Sequence, residues 1–295
     1  TGVAVLDYGG STDTQIAITF NEGELATDQT PELTLAADGI RDLADNYNIT
    51  QPPLTALDRA APVLDHIHTA DTDNNGNVDR LILTYNENVD AGTIQDLGFY
   101  YIDTGRLLNV IDNGAPFDKV IWFEMDELAP YTLNTDRVPQ IGLYAEGIAD
   151  LAGNRNIVQG LYGAEDRAPA VITQVTTSDD DEDGYVDLLT AAFNEDVNIT
   201  PETATKLQLS DGEIASVADG PGTSSISIEL IDGALLTGAT PTVSVQAGAV
   251  EDASGNPNID QPVELAVDTA GPAIISAEAH DGSDVFVRID SDDFV

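Results

Sequence analysis

Two nine-residue acidic segments, 71–79 and 179–187, carry oxygen ligands at the spacing of a calcium-binding loop. Each has Asp or Asn at its first, third and fifth positions, Gly at its sixth and Asp at its ninth. This spacing, with a Gly that permits a sharp turn, lets one short segment wrap a Ca²⁺ ion. The predicted side-chain ligands are Asp71, Asp73, Asn75 and Asp79 in loop one and Asp179, Asp181, Asp183 and Asp187 in loop two, with backbone carbonyls from Asn77 and Tyr185.

Neither loop is complete as a calcium site by itself. Calcium takes six to eight oxygens, and a helix–loop–helix site has a bidentate Glu at its twelfth position. That position is Ile82 in loop one and Thr190 in loop two. The missing ligands must come from elsewhere in the domain or from water, and Glu87 and Glu195 are candidates because they follow the next strand. Loop two has more carboxylates, so we expect it to bind Ca²⁺ more tightly.

The alternative is that each loop is a turn without an ion. Asp, Asn and Gly are favoured in tight turns for conformational reasons of their own. The ordered spacing in both loops favours calcium over this alternative.

The two loops belong to a longer repeat. Their offset is 108 positions, because 179 − 71 = 108, and the same offset relates Asp58-Arg59 to Asp166-Arg167. It also relates residues 85–89 to 193–197 and residues 39–46 to 147–154, and residues 251–256 are a third copy of the end of this last segment. A period of roughly 105 residues exceeds the 20–50 of solenoid repeats and suits whole domains in tandem.

Period-two alternation is the main secondary-structure signal in each repeat. Leu81, Leu83 and Tyr85 alternate with Ile82 and Thr84, and residues 14–20 and 242–246 alternate similarly. Short strands separated by Gly, Asn and Asp turns indicate a β-sandwich of about seven strands. The predicted fold class is therefore all-β, with tandem β-sandwich domains arranged as an elongated rod.

The repeat also predicts the domain boundaries. Residues 60–167 and 168–269 form full domains with one calcium loop each, residues 1–59 form the second half of a domain, and residues 270–295 form the first strands of another. A half sandwich exposes strand edges and an apolar face. Two interpretations remain open: a window from a longer array, or strands donated head-to-tail to a neighbouring subunit.

Composition excludes several classes of function. The net charge is −43, from 53 acidic and 10 basic residues among 295, so electrostatic repulsion disfavours nucleic acid and anionic membrane surfaces as partners. The chain has no Cys and therefore no disulfides. We find no apolar run of the roughly 20 residues that a membrane span needs. No nucleophile motif or phosphate-binding loop is present, which predicts a protein that is not an enzyme.

The order of motifs resembles Ig-like repeats of bacterial and archaeal surface proteins, of the S-layer and large-adhesin type. The resemblance rests on an opening Ala-Pro-x-Val, the acidic loop, a strand ending Phe/Tyr-Asn-Glu-x-Val, and a closing D-x-A-G-N. It implies an extracellular or cell-surface filament, surface layer or adhesin stalk, stabilised by calcium and in contact with copies of itself or adjacent repeats. The rival interpretation is an accessory or glycan-binding region of a secreted hydrolase, although we expect Trp122, the single tryptophan, to be a core residue.

Overall fold

The computed structural model describes residues 4–7, 15–111, 117–220, 222–279, 282 and 284–289. Its sheets are all antiparallel, which confirms the predicted all-β class. The helices among the described residues are single turns: two 3₁₀ helices, Ala91–Thr93 and Leu97–Phe99, and one α-helix, α1, Thr203–Lys206. None of these helices is long and apolar enough to cross a membrane.

The first unit, residues 60–167, contains eight strands among its described residues. They are β5 (Leu64–Ala70), β6 (Arg80–Asp90), β7 (Tyr100–Ile102), β8 (Leu107–Ile111), β9 (Phe117–Met125), β10 (Gln140–Leu143), β11 (Ala149–Asp150) and β12 (Gln159–Gly163), numbered after the four strands given below for the leading segment. One sheet has the order β11-β6-β9-β8, with β5 also paired to β6, and the other has the order β12-β10-β7. The two sheets form the two layers that a β-sandwich requires.

The second unit, residues 168–269, repeats this plan. Its strands are β13 (Ile172–Ser178), β14 (Leu188–Phe193), β15 (Val197–Ile199), β16 (Leu207–Leu209), β17 (Ile214–Asp219), β18 (Ser225–Leu230), β19 (Thr242–Val245), β20 (Val250–Asp252) and β21 (Glu264–Leu265). The sheet orders are β13-β14-β18-β17, β16-β19-β21 and β15-β20. The long β6 of the first unit corresponds to β14 and β15, which are separated here at Asn194-Glu195-Asp196.

Each unit has a hydrophobic cluster of its own. In the first, the inward residues of β6 and β9 alternate with outward ones, and Leu81 lies opposite Phe123 across the strand pair. In the second, Leu189 lies opposite Ile228 at the corresponding place. The alternation buries one face of each strand, as the sequence predicts. The exact domain boundaries remain a prediction from the repeat.

The expectation for Trp122 was wrong. It lies on the face of β9 opposite Phe123 and is only half-buried. The guanidinium of Arg80 stacks over its ring, 5.2 Å from the centroid. Period-two alternation puts neighbouring residues on opposite faces, so Trp122 cannot share the core with both Ile121 and Phe123.

The flanking segments form smaller sheets. The leading segment has β1 (Ala4–Asp7) paired with β2 (Ile16–Thr19) and β3 (Glu32–Leu33) paired with β4 (Leu54–Thr55), and the trailing hairpin joins β22 (Ile274–Ala279) to β23 (Val285–Ile289). Large apolar side chains are exposed in both segments. Examples are Leu54 at 71%, Ile274 at 68% and Phe286 at 61%. Among the side chains described in these flanking strands, none is buried as in the two full units.

Candidate metal centre

The two acidic loops have the same backbone conformation. The fourth residue of each loop is in the left-handed region, with φ of 61° at Asn74 and 62° at Glu182. The Gly two residues later also has positive φ, 86° at Gly76 and 98° at Gly184. A residue with a Cβ is strained in that conformation, so the predicted role of Gly in the turn agrees with the backbone.

In loop one the first carboxylate organises the turn. Asp71 accepts hydrogen bonds from the backbone N–H groups of Asn74 at 2.7 Å and Gly76 at 2.8 Å. Burial raises the pKa of Asp71, and these hydrogen bonds oppose the shift. Asp79 accepts a bond from the N–H of Thr72 at 3.1 Å. Both carboxylates thus bind the backbone of their own loop.

In loop two three of the predicted carboxylates converge. Oxygens of Asp179, Asp181 and Asp187 all lie within 4.8 Å of one another. Asp179 Oδ2 accepts a bond from the N–H of Gly184 at 3.0 Å, but its buried Oδ1 has no hydrogen-bond partner among the described residues. Loss of solvation and then the nearby carboxylate of Asp183 raise the pKa of Asp181.

The remaining predicted ligands are not members of this group. Asp183 is outside it, and its Oδ1 accepts a bond from the N–H of Tyr185 at 3.0 Å. In loop one, Asp71, Asp73 and Asp79 do not form such a group. Its amide ligand, Asn75, donates to Glu127 Oε1 at 2.6 Å.

The two predicted carbonyl ligands occupy equivalent bridges. Asn77 pairs with Asn134 and Tyr185 pairs with Leu236, each in an isolated antiparallel bridge. The bridges anchor the end of each loop to the same unit. Whether these carbonyls bind a cation remains a prediction.

Glu87 and Glu195 belong to different clusters from the loops. Glu87 lies with Asp58 and Asp150, and we call this set the first joint cluster. The second joint cluster consists of Asp166, Glu195 and Asp252. In each, carboxylate oxygens lie within 4.8 Å of one another. The expectation that Glu87 and Glu195 supply the missing ligands of the loops is therefore not met, because each glutamate lies in a joint cluster instead.

The joint clusters are largely buried. Glu87 is 1% exposed and Asp150 3%, while Glu195 is 5% and Asp252 2%. The third member, Asp58 or Asp166, is half-buried and opens the linker, by which we mean the two residues before each following unit, 58–59 and 166–167. Three carboxylates are thus held together with little contact with water, at the junction between one unit and the next.

Burial and like charges act in the same direction on these carboxyl groups. Burial raises the pKa of Glu195 to about 7, a shift that the Thr135 hydroxyl opposes and that Asp166 and Asp252 increase. Burial likewise raises the pKa of Glu87 and Asp166. The direction indicates carboxylates that lack a compensating positive charge.

A hydrogen-bonded turn holds one member of each cluster. Asn154 donates its backbone N–H to Asp150 Oδ1 at 2.8 Å and its side-chain amide to Oδ2 at 2.7 Å. Asn256 makes the same two bonds to Asp252, both at 2.8 Å. The D-x-x-x-N pattern within the closing D-x-A-G-N motif thus fixes a carboxylate at the joint, a role that the sequence pattern alone did not indicate.

Comparisons with known proteins give little further information. No protein-family model and no curated protein matches the chain. Among solved structures, the chain is similar to the N-terminal part of the bacterial S-layer protein SbsC, with a TM-score of 0.28 and 12% identity. The similarity covers 70% of this chain and 44% of that one. At this TM-score the likeness establishes neither a fold family nor a function.

Proposed function

We propose that the chain is a non-enzymatic, calcium-stabilised repeat protein of an extracellular filament, surface layer or adhesin stalk. The observation that carries this proposal is the convergence of carboxylate oxygens from Asp179, Asp181 and Asp187, where Asp179 also has a buried Oδ1 without a hydrogen-bond partner among the described residues. A loop at the corresponding place in the first unit has the same backbone turn. Repeated sandwich units in a rod, each with a cation site, suit a load-bearing role.

The geometry of loop two fits a calcium ion. Calcium–oxygen distances are about 2.4 Å, so two ligands of one ion lie no more than about 4.8 Å apart. The three carboxylates of loop two meet this limit. Water can supply further ligands because Asp181 is exposed.

Loop two should lose calcium when one carboxylate is removed. We expect Asp181→Asn to weaken binding at loop two at least about ten-fold, because a charged ligand becomes neutral. Isothermal titration calorimetry of the full chain measures the change. Asp211→Asn, at an exposed site outside both loops, is the matched control. An unchanged isotherm for Asp181→Asn would contradict the assignment.

We also propose that the flanking segments contact copies of the chain or adjacent repeats head-to-tail. Exposed apolar side chains in the leading segment and in the trailing hairpin support this proposal, because burial of such surface drives association. Ile49 and Leu57 on one side, at 76% and 79% exposure, and Val285 on the other, at 63%, are suited to it.

Deletion of residues 273–295 should abolish this association. The deletion removes β22 and β23, and with them the apolar surface of one end. We expect light scattering of the full chain to detect polymers and that of the shortened chain to detect monomers. Assembly that persists after the deletion would contradict the proposal.

A glycan-binding role is the second candidate. Tyr101, on β7, and Tyr144, directly after the adjacent strand β10, are exposed at 47% and 54% beside a shallow cavity that Leu161 also lines. Exposed aromatic side chains are typical of sugar-binding faces. Saccharide binding to this face, detected by calorimetry, would favour the alternative.

A further inference from the structure

The second joint cluster connects three parts of the chain. Asp166, in the linker, accepts a hydrogen bond from Thr69 of the first unit at 3.4 Å and from Ser254 of the second unit at 2.9 Å. Glu195 of the second unit accepts a bond from the hydroxyl of Thr135 in the first unit. The cluster therefore lies at the contact between the two units, not within either one.

Asn194 strengthens the same contact. Its side-chain amide donates to the carbonyl of Gly76, in loop one, at 2.9 Å and to Thr135 Oγ1 at 2.7 Å. Its equivalent at the first joint, Asn86, donates to Thr27 Oγ1 at 2.8 Å. Both joints thus contain the same Asn–Thr hydrogen bond, made by residues at equivalent positions of the repeat.

The charge of each joint cluster is not neutralised by a basic side chain. Among the described residues, none of the six carboxylates is in an ion pair, and the nearby Arg167 pairs with Glu165 instead. In each cluster two buried carboxylates and one half-buried carboxylate repel each other and lose hydration. A bound cation would offset this repulsion.

A second observation points to a ligand at the first joint cluster, whose three acidic positions the second joint cluster repeats. Glu87 is 1% exposed, and its Oε1 is buried without a hydrogen-bond partner among the described residues. Its side chain also interacts with the hydroxyl of Thr27. A buried carboxylate oxygen normally has a partner, so an orphan oxygen on a member of a carboxylate cluster points to a missing electropositive group.

We propose that each joint cluster binds one Ca²⁺ ion, at a site separate from the acidic loops. The proposal extends the proposed function, since it assumes the same ion. The oxygens of each cluster lie within 4.8 Å of one another, about twice a calcium–oxygen distance. A surface cavity lined by Leu57, Asp58, Arg59, Ala152 and Asn154 brings solvent to Asp58 of the first cluster.

The joint sites have a function different from that of the loops. Each site takes one ligand from the linker and two from the unit that follows it. In the first site these two ligands lie on strands β6 and β11. In the second site one lies directly after strand β14 and the other lies on strand β20. Ca²⁺ therefore joins the linker to the following unit and fixes the direction in which that unit leaves the joint. The loops, by contrast, gather ligands from one short segment.

Counting bound ions tests the proposal. Native mass spectrometry of the full chain in Ca²⁺ is compared for the parent, Glu87→Gln, Glu195→Gln, and a loop variant combining Asp73→Asn with Asp181→Asn. We expect each Gln variant to bind one ion fewer than the parent and the loop variant to keep the two joint ions. Glu213→Gln, at an exposed site, is the matched control and should bind the parental number.

Thermal unfolding separates ligand loss from structural damage. In chelator each Gln variant should melt above the parent, because one repelling carboxylate is gone, whereas in saturating Ca²⁺ it should melt below the parent. A merely structural role for Glu195 would lower the melting temperature in both conditions. If a Gln variant does not fold, Asp58→Asn and Asp166→Asn, at the half-buried linker positions, replace it.

The outcomes distinguish this proposal from the proposed function. Loss of ions only in the loop variant overturns the joint sites and leaves the calcium-stabilised role in place. Loss of ions only in the Gln variants supports the joint sites and removes the loops as calcium sites. Parental ion counts in every Gln and Asn variant of the joint clusters overturn the inference.

Discussion

Replacing Phe123 by Ala should remove about 4 kcal/mol from the free energy of unfolding of the first unit, the cost of a large cavity in a packed core. Phe123 is fully buried at the centre of its cluster, where it contacts Tyr100 edge-on with ring centroids 4.7 Å apart. For a unit of about 100 residues this loss lowers the melting temperature by roughly 20 °C. The second unit has a separate cluster, so its unfolding should not change.

The chain provides its own reporter for this experiment. Trp122, the only tryptophan, lies on β9 of the first unit, so its fluorescence follows that unit alone. Ile228→Ala is the matched variant, because Ile228 lies opposite Leu189 as Phe123 lies opposite Leu81. We expect Phe123→Ala to shift the fluorescence transition and Ile228→Ala to shift only the circular dichroism signal. Equal fluorescence shifts in both variants would mean that the units unfold together.

The fold was predictable because its signal is local. Alternation along 80–85 and 242–246 identifies strands from neighbouring residues, and the β class follows from repeated strands and turns. The turns of the two loops were predictable for the same reason, since each spans nine positions, and their binding of calcium stays a prediction. The structure brings together Asp179, Asp181 and Asp187 as expected, but places Asp183 outside the group.

The joint clusters were not predictable in this way. Asp58, Glu87 and Asp150 are far apart in the sequence, and only the pairing of β6 with β11, which places Asp150 opposite Val89, brings two of them close. The motifs that contain these residues recur at the repeat spacing, and this recurrence was the one signal in the sequence that could have pointed to them. Each motif also has a local structural role, such as the turn closed by Asn154, so recurrence alone did not indicate a shared site.

Removing calcium should expose the joints to trypsin. Trypsin cleaves after Arg and Lys, and Arg59 and Arg167 directly follow the linker carboxylates Asp58 and Asp166. At calcium concentrations about 100 times the dissociation constant, one site adds about 2.7 kcal/mol to the stability of the bound state. If opening of a joint requires release of its ion, chelation should accelerate cleavage there roughly 100-fold.

The geometry of the cleaved bond supports this expectation. The N–H of Ala168, on the far side of the Arg167–Ala168 bond, donates to Asp166 Oδ1 at 3.2 Å, and the N–H of Ala60 donates to Asp58 Oδ1 at 3.0 Å. A protease requires the chain around the bond to become extended, which breaks this hydrogen bond. An ion that immobilises the linker carboxylate therefore also protects the adjacent peptide bond.

Single variants assign the protection to individual joints. In saturating Ca²⁺, Glu87→Gln should permit rapid cleavage after Arg59 and leave the Arg167 bond protected, whereas Glu195→Gln should do the reverse. Mass spectrometry of the fragments over time gives both rates, with Glu213→Gln as the control. If both bonds respond equally to either variant, protection comes from the stability of the whole chain. If each bond responds only to its own cluster, each joint has its own calcium-dependent stability, because the ligands of one cluster do not contribute to the other.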